Sequence, residues 1–288
     1  MTWKQYVNAL IEIENPIDEI WRILTEIWKP EDDLESYFKH ERLASAFESW
    51  LNSVFYEVYD LIHRNARITP HRLSLPIIIL DGMSIREGNL LINDLESRGF
   101  KILKYTYGFS SLPSITESFR GSLNLKEFVG IEHGKPPSDL DFRLPIWISF
   151  PDEILHHAGE LIPPDEAYER TRSIIFHVLD RFDGNVITIT SDHGYILLDE
   201  IWGVGDADRK FLRSIYGSKR FVKRRDLSED TFAKLRAMPK DRSYVFIDDE
   251  YCYVKGRYYW PVSGYGHAAI HGGLSIMECL VPLIEVRV

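Results

Sequence analysis

The first quarter of the chain places apolar residues at helical spacing. Behind Asn15 and Pro16, which suit the N-cap and the first position of a helix, apolar positions recur every three or four residues at Ile17, Ile20, Trp21, Leu24 and Ile27. A longer helix is predicted from about Glu41, with one apolar side made of Leu43, Phe47, Leu51, Phe55, Val58 and Ile62. We therefore expect residues 1–70 to form a helical amino-terminal extension that supplies packing and no chemistry.

From Pro76 onward, short apolar runs rich in β-branched and aromatic residues alternate with helical segments. The runs predict strands at 75–80, 101–107, 145–150 and 186–190, and the helical segments lie at 88–98, 114–123, 152–160 and 165–182. This alternation is typical of parallel strands that are covered by helices on both faces. Residues 71–288 are therefore predicted to form an α/β domain with a mostly parallel sheet sandwiched by helices.

The alternation stops after Tyr195. Residues 209–225 carry eight basic and no acidic residues, and the segment YVFIDDEYCYVKGRYYW (244–260) is typical of antiparallel strands. We predict a small β-rich cap insertion at about 203–262, followed by a last strand in CLVPLIEVRV (279–288). Lys219 and Arg220 are candidates for substrate binding on a positive rim, with a plain solvated face as the alternative interpretation.

Composition and charge narrow the function classes. Hydrophobic residues make up 44% of the 288 residues and charged residues 27%, which is an ordinary globular balance, and the formal net charge of −10 argues against a general nucleic-acid coat. Two separated cysteines, Cys252 and Cys279, exclude a disulfide scaffold and favour a reducing compartment. No export signal is evident, and the longest uncharged stretch, 258–277, contains Pro261 and four glycines, so we expect a cytoplasmic protein without a membrane partner.

Three predicted strands lead into carboxylates at their carboxyl ends, namely Asp81, Asp152 and Asp192. Because the carboxyl ends of parallel strands meet at one edge of a sheet, where ligands bind, we expect these side chains to lie together. His156 follows Asp152 by four residues and would share its helical face, whereas His157 would point about 100° away.

These side chains provide the oxygen and nitrogen donors that zinc or manganese prefers. Asp152 with His156 and Asp192 with His193 form two Asp–His pairs, and His271 could complete the set, with His267 as its competitor. So many donors suggest two cations, which about 4 Å apart would repel by roughly 17 kcal/mol at an effective dielectric near 20. Three aspartates and one alkoxide would neutralise that charge.

The segment FSSLPSITESFRG (109–121) offers hydroxyl groups for such an alkoxide. The pattern Ser114-x-x-Glu117 matches a capping box, which predicts Ser114 at the N-cap and Thr116 in the first helical turn, where backbone N–H groups favour an anion. A divalent cation lowers the pKa of a coordinated hydroxyl, so no neighbouring histidine is required as its base. Ser111, Ser114 and Thr116 all remain candidates.

Five separated segments together resemble the PglZ domain, a branch of the alkaline phosphatase superfamily of metal-dependent phosphate and sulfate ester hydrolases. In order, they are LDG at Asp81, LPSIT at Thr116, PDEILHH at Asp152, SDHGY at Asp192 and HGGLSIMECLVPL at His271. The resemblance covers about residues 75–288 and implies the alkaline phosphatase fold. It also implies one metal held by Asp81, Asp192, His193 and the nucleophile, and a second held by Asp152, His156 and His271.

The resemblance further implies that Thr116 is the nucleophile of a two-metal phosphoester hydrolase. The cations would be zinc, with manganese as the alternative, and the substrate a phosphodiester of nucleotide or nucleic-acid type, in a setting such as phage defence (BREX) with defence-system partners. Many relatives carry an arginine within three positions of the first aspartate, whereas the nearest one here is Arg86. The competing hypothesis is a non-catalytic PglZ scaffold in a defence or signalling complex, docked through the acidic helices. Sulfatase chemistry is less favoured, because the nucleophile segment contains no cysteine.

Overall fold

A central sheet organises the computed structural model, which describes residues 15–31, 33–68, 74–156, 162–238, 243–260 and 268–288. The strands are β1 Ile77–Asp81, β2 Lys101–Phe109, β3 Val129–Ile131, β4 Ile146–Pro151, β5 Val186–Ser191, β6 Ile196–Leu197, β7 Phe221–Lys223, β8 Val245–Ile247, β9 Tyr251–Val254, β10 Ala269–Ile270 and β11 Leu280–Arg287. Within the described residues, the largest sheet has six strands in the order β2-β11-β5-β1-β4-β3. All of its strands run in one direction except β11, which is antiparallel to β2 and β5.

Helices surround this sheet. They are α1 Pro16–Ile27, α2 Leu34–Phe38, α3 Glu41–Val54, α4 Val58–Ile68, α5 Ile85–Ser97, α6 Thr116–Leu123, α7 Asp152–Leu155, α8 Pro164–Leu179, α9 Asp206–Tyr216, α10 Glu229–Arg236 and α11 Ile276–Cys279. No helix in the described part of the chain combines the length and the apolar character that a membrane crossing requires.

Strand β1 shows why helices cover both faces of the sheet. Its side chains alternate, so Ile78 and Leu80 pack in one apolar cluster with residues of α5 and α8, while Ile77 and Ile79 pack in another with Phe119 of α6. All four β1 side chains are fully buried, which explains why the strand reads as a continuous apolar run. The predicted α/β fold with a mostly parallel, helix-covered sheet is confirmed.

The amino-terminal region is helical, but its longer predicted helix is interrupted. Asn15 caps α1 by accepting a hydrogen bond from the Ile17 N–H at 3.3 Å, as the Asn-Pro pair predicts. The single helix that we predicted from Glu41 to Ile62 instead divides into α3 and α4 around Phe55. The break has a packing reason, because it lets both α3 and α4 bury apolar residues in one core while Leu43 remains 55% exposed.

Buried ion pairs join helix α3 to the rest of the fold. Glu41 pairs with both Arg86 and Arg257, and Glu48 accepts a hydrogen bond from Arg257 Nε at 3.0 Å. The second carboxylate oxygen of Glu48 accepts the Ile276 N–H at 2.8 Å. Contrary to our expectation of packing alone, α3 therefore supplies the charges that neutralise two buried arginines. The division of the chain at residue 70 stays a prediction.

The segment between β6 and β10 contains the predicted antiparallel strands. Strands β7, β9 and β8 form a three-stranded antiparallel sheet, and α9 and α10 contribute to the apolar cluster beneath it. The final strand, β11, is also where the sequence predicted it, although it runs against its neighbours in the main sheet. The limits of a cap at 203–262 stay a prediction.

Glu41→Gln is expected to destabilise the protein strongly, because it leaves Arg86 and Arg257 buried beside a neutral side chain. Breaking a buried ion pair by removing one partner costs about 3–5 kcal/mol. Urea unfolding measures the change. Glu35→Gln is the matched control, because Glu35 pairs with Lys39 on the surface and should change stability little. Equal midpoints for the two variants would contradict the structural role of Glu41.

Candidate metal and active site

The three strand-end aspartates lie at one edge of the sheet. Strands β5, β1 and β4 are adjacent and parallel, so their carboxyl ends coincide. Asp81 is the last residue of β1, Asp152 directly follows β4, and Asp192 directly follows β5. Gly82 permits this close approach with a positive φ of +84°, since a Cβ there would lie 3.1 Å from the Asp152 Cβ.

One group of possible metal ligands consists of Asp81, Asp192 and His193. Their ligand atoms lie within 4.8 Å of one another. The Thr116 hydroxyl lies beside all three, at 2.8 Å from Asp192 Oδ2, 3.2 Å from Asp81 Oδ1 and 3.5 Å from His193 Nε2. The other oxygen of Asp192 accepts N–H groups of Gly82 at 3.1 Å and of His193 at 2.8 Å, which fixes the orientation of this carboxylate.

A second group of possible ligands consists of Asp152, His193 and His271, again with ligand atoms within 4.8 Å. The Nε2 atoms of His156 and His271 lie 3.2 and 3.4 Å from Asp152 Oδ1. The rings of His193 and His271 stack with centroids 4.1 Å apart, so the two groups adjoin each other. His193 is therefore close enough to contribute to either group.

Backbone carbonyls fix the tautomers of two of these histidines. His193 Nδ1 lies 3.0 Å from the Gly194 carbonyl oxygen, and His271 Nδ1 lies 3.1 Å from the Ser114 carbonyl oxygen. Because a carbonyl oxygen only accepts hydrogen bonds, each Nδ1 must carry the proton. The Nε2 lone pairs are then directed toward the carboxylates, which is the state in which imidazole binds a metal.

The protonation preferences of the cluster favour a bound cation. Burial, together with repulsion from Asp192 and Asp152, raises the pKa of Asp81 well above its ordinary value, and burial also raises the pKa of Asp192. Burial opposes the charged form of Asp152, but neighbouring histidines, His271 foremost, outweigh it and lower the pKa of this carboxyl. Burial and the nearby His193 lower the pKa of His271 to about 3. Mutually repelling carboxylates beside imidazole nitrogens fit divalent cations, whose charge relieves that repulsion.

Ser114 does not cap the helix, so the predicted capping box is wrong. Helix α6 begins at Thr116 with Ile115 at its N-cap and no side-chain cap. The Ser114 hydroxyl instead donates to the Gly273 carbonyl at 2.9 Å and accepts the Gly272 N–H at 3.1 Å. These bonds connect the segment before α6 to the segment that carries His271, a long-range role that local spacing does not reveal.

The three candidate hydroxyls have different surroundings. Ser114 is fully buried, and its hydroxyl is hydrogen-bonded to the segment that carries His271. Ser111 forms a hydrogen bond of 2.7 Å with the Ser122 hydroxyl. Thr116 is the candidate whose hydroxyl contacts Asp81 and Asp192. The geometry therefore favours Thr116 as the nucleophile.

Arg220 does not lie on an exposed positive rim, which corrects our expectation. Its guanidinium is fully buried and is hydrogen-bonded to Glu278 and to the carbonyls of Gly256 and Tyr258. Glu278 also accepts the Gly273 N–H at 2.8 Å, so this ion pair lies under the His271 segment. Lys219 is exposed between α9 and β7, outside the residues that line the cleft at Thr116.

A cleft of about 340 Å³ opens beside Thr116 and contains a residue that the sequence analysis missed. Arg120 lines this cleft together with Asp81 and Thr116. The signal in the sequence is the four-residue spacing of Thr116 and Arg120 on one helix, which places both on one face. Two further candidates from the sequence, His157 and His267, lie outside the described residues.

Comparisons with known proteins point to one family. Residues 154–286 match the family model described as the BREX system PglZ alkaline phosphatase-like domain. The alkaline phosphatase-like protein BrxZ of Escherichia coli O9:H4 (strain HS) is 26% identical over 124 residues, which are 42% of this chain and 14% of that protein. Among solved structures, phosphonoacetate hydrolase from Sinorhizobium meliloti 1021 in complex with phosphonoacetate is similar at 12% identity, with a TM-score of 0.42 over 74% of this chain and 90% of that chain.

Ser114→Ala is expected to destabilise the fold by about 1–3 kcal/mol, because it leaves a buried N–H and a buried carbonyl without their hydroxyl partner. Urea unfolding measures this loss. Ser53→Ala serves as the control, since the exposed Ser53 hydroxyl bonds only the nearby Trp50 carbonyl at 2.7 Å. If both alanine variants unfold at the wild-type midpoint, Ser114 does not hold the His271 segment.

Proposed function

We propose that this PglZ domain protein is a metal-dependent phosphoester hydrolase with Thr116 as its nucleophile. The proposal rests chiefly on one observation: the Thr116 hydroxyl lies within 3.2 Å of both Asp81 and Asp192, beside a second group of possible ligands. A hydroxyl beside the half-buried Asp81, the fully buried Asp192 and adjacent imidazoles is placed to act as a nucleophile, and the match to the PglZ alkaline phosphatase-like domain supports that interpretation.

The ligand assignment keeps the first group and, in the second, takes His156 in place of His193, because His156 Nε2 lies 3.2 Å from Asp152 Oδ1. Asp81, Asp192 and His193 would hold one divalent cation, while Asp152, His156 and His271 would hold the other. Bound cations would lower the pKa of the Thr116 hydroxyl and offset the charge of a phosphate. We propose zinc for both positions, with manganese as the alternative, because the donors are carboxylate oxygens and imidazole nitrogens.

The residues of the chain then have distinct roles. Thr116 Oγ1 attacks phosphorus, the bond between phosphorus and the leaving-group oxygen breaks, and water hydrolyses the resulting phosphothreonine. The Thr116 hydroxyl donates to Asp192 Oδ2 at 2.8 Å, which holds Oγ1 at the edge where the phosphoryl group would bind. Thr116 is also the first residue of the eight-residue helix α6, whose N-terminal N–H groups and dipole favour a phosphate there.

The substrate class we propose is a phosphodiester, of nucleotide or nucleic-acid type, and the setting a BREX-like defence system with protein partners. Support for the setting comes from the description of the matching family and from the similarity to BrxZ. The matched segment spans 14% of the length of BrxZ, so partners and biological substrate are part of the proposal.

Thr116→Ala tests the mechanism directly. Chelated wild-type protein should lose hydrolysis of bis(p-nitrophenyl) phosphate and regain it with zinc or manganese. In the same assay, Thr116→Ala should lower kcat about a thousandfold or more, because removing a nucleophile removes the covalent route. The variant should keep most of its bound metal, measured by elemental analysis, because the aspartates and histidines remain.

Thr25→Ala is the matched control, since the Thr25 hydroxyl donates to the Arg22 carbonyl within α1. It should retain wild-type turnover. Full activity after exhaustive chelation, or unchanged turnover in Thr116→Ala, would refute the proposed mechanism. Two bound cations without any hydrolysis by the wild type would instead support the non-catalytic scaffold.

A further inference from the structure

Arg120 is an arginine without an ion-pair partner in the described part of the chain. Its guanidinium carbon lies 4.2 Å from the ring centroid of Trp147 and 4.6 Å from that of Phe128. Its Nε is buried and forms no hydrogen bond with a described residue. By contrast, the fully buried Arg86 and Arg257 both pair with Glu41.

Helix α6 places Arg120 at the same opening as the nucleophile. Thr116 and Arg120 are four residues apart in this helix, so their side chains share one face. Both line the cleft of about 340 Å³ that also includes Asp81. The cleft is therefore lined by a hydroxyl, a possible metal ligand and a cation.

The glutamates in the cleft do not neutralise Arg120, although the charge of Arg120 acts to lower the pKa of Asp81. Glu153 is engaged by His133 and by the Ser149 hydroxyl, and Glu117 and Glu132 form no ion pair with Arg120 among the described residues. The Arg120 guanidinium carbon lies over the Trp147 and Phe128 rings, and these cation–π contacts use no hydrogen-bond acceptor that an anion would replace. A guanidinium in this position can bind a tetrahedral oxyanion such as phosphate, to which arginine can donate two parallel hydrogen bonds.

The arginine nearest to Asp81 in sequence is not available for this purpose. Arg86 is fully buried, pairs with Glu41, and donates to the Tyr195 carbonyl at 2.8 Å. Its guanidinium also lies 4.2 Å from the Tyr195 ring centroid. Arg86 is thus a structural residue and does not line the cleft at Thr116.

We infer that Arg120 binds the non-bridging oxygens of the phosphoryl group at Thr116. This inference rests on the proposed function, because it names a substrate contact of the same site. Arg120 would hold the phosphoryl group by hydrogen bonds from α6, the helix that also carries Thr116, while the metal ligands act from the sheet edge.

Binding of inorganic phosphate to zinc-loaded protein tests the inference by calorimetry. Arg120→Met keeps the apolar cover on Trp147 and removes the charge, and we expect phosphate to bind about 10- to 100-fold more weakly, as for a lost charged hydrogen bond. Arg120→Lys keeps the positive charge but cannot donate two parallel hydrogen bonds. Its phosphate affinity should lie between those of the wild type and Arg120→Met. With bis(p-nitrophenyl) phosphate, Arg120→Met should raise KM by a similar factor, and bound zinc should not change.

Arg98→Met is the matched control, because the Arg98 guanidinium lies 3.9 Å from the Phe176 ring centroid and its side chain is 51% exposed. It should bind phosphate like the wild type. Equal phosphate affinity in Arg120→Met and Arg98→Met would overturn the inference, as would a zinc-loaded wild type that binds no phosphate. Arg120-dependent phosphate binding without any ester hydrolysis would support the inference and refute the proposed function, so the two are separable.

Discussion

The concentration of negative charge at one edge of a buried sheet is the constraint on which this structure depends. Three adjacent parallel strands bring Asp81, Asp152 and Asp192 together, and burial makes their mutual repulsion costly. The His193 and His271 rings donate from Nδ1 to backbone carbonyls and direct Nε2 toward the carboxylates. Divalent cations would relieve this repulsion, and the two groups of possible ligands indicate where they would bind.

The remainder of the structure fixes the position of the ligands through buried hydrogen bonds. Glu48 of α3 binds the N–H of Ile276, at the start of α11, and the same short helix carries Glu278, which binds Arg220 and the Gly273 N–H. Gly273 in turn follows His271 by two residues and is held by Ser114, two residues before Thr116. A chain of contacts therefore runs from the amino-terminal helices to the segments that carry Thr116 and His271. This continuity explains why α3 contributes carboxylates rather than a simple apolar surface.

Much of the fold, and the clustering of the three aspartates, could be predicted because both follow from local sequence patterns. Four short apolar runs are strands, and a parallel sheet necessarily collects residues that end neighbouring strands, which is how Asp81, Asp152 and Asp192 could be grouped in advance. The errors arose where long-range packing outweighs local spacing. Ser114 fits a capping box in sequence but bonds Gly272 and Gly273 instead, and Arg220 belongs to a basic run yet is buried against Glu278. No local signal distinguishes an arginine that solvates a surface from one that neutralises a distant glutamate.

The central claim is that two adjacent ligand groups bind two divalent cations at the sheet edge. A crystal structure of the manganese-loaded protein, with anomalous difference maps recorded near the manganese absorption edge, tests this most directly. The account predicts two anomalous peaks, one beside Asp81, Asp192 and His193 and the other beside Asp152, His156 and His271. Strong peaks only at other surfaces of the molecule, or no peak at the sheet edge at saturating manganese, would contradict it.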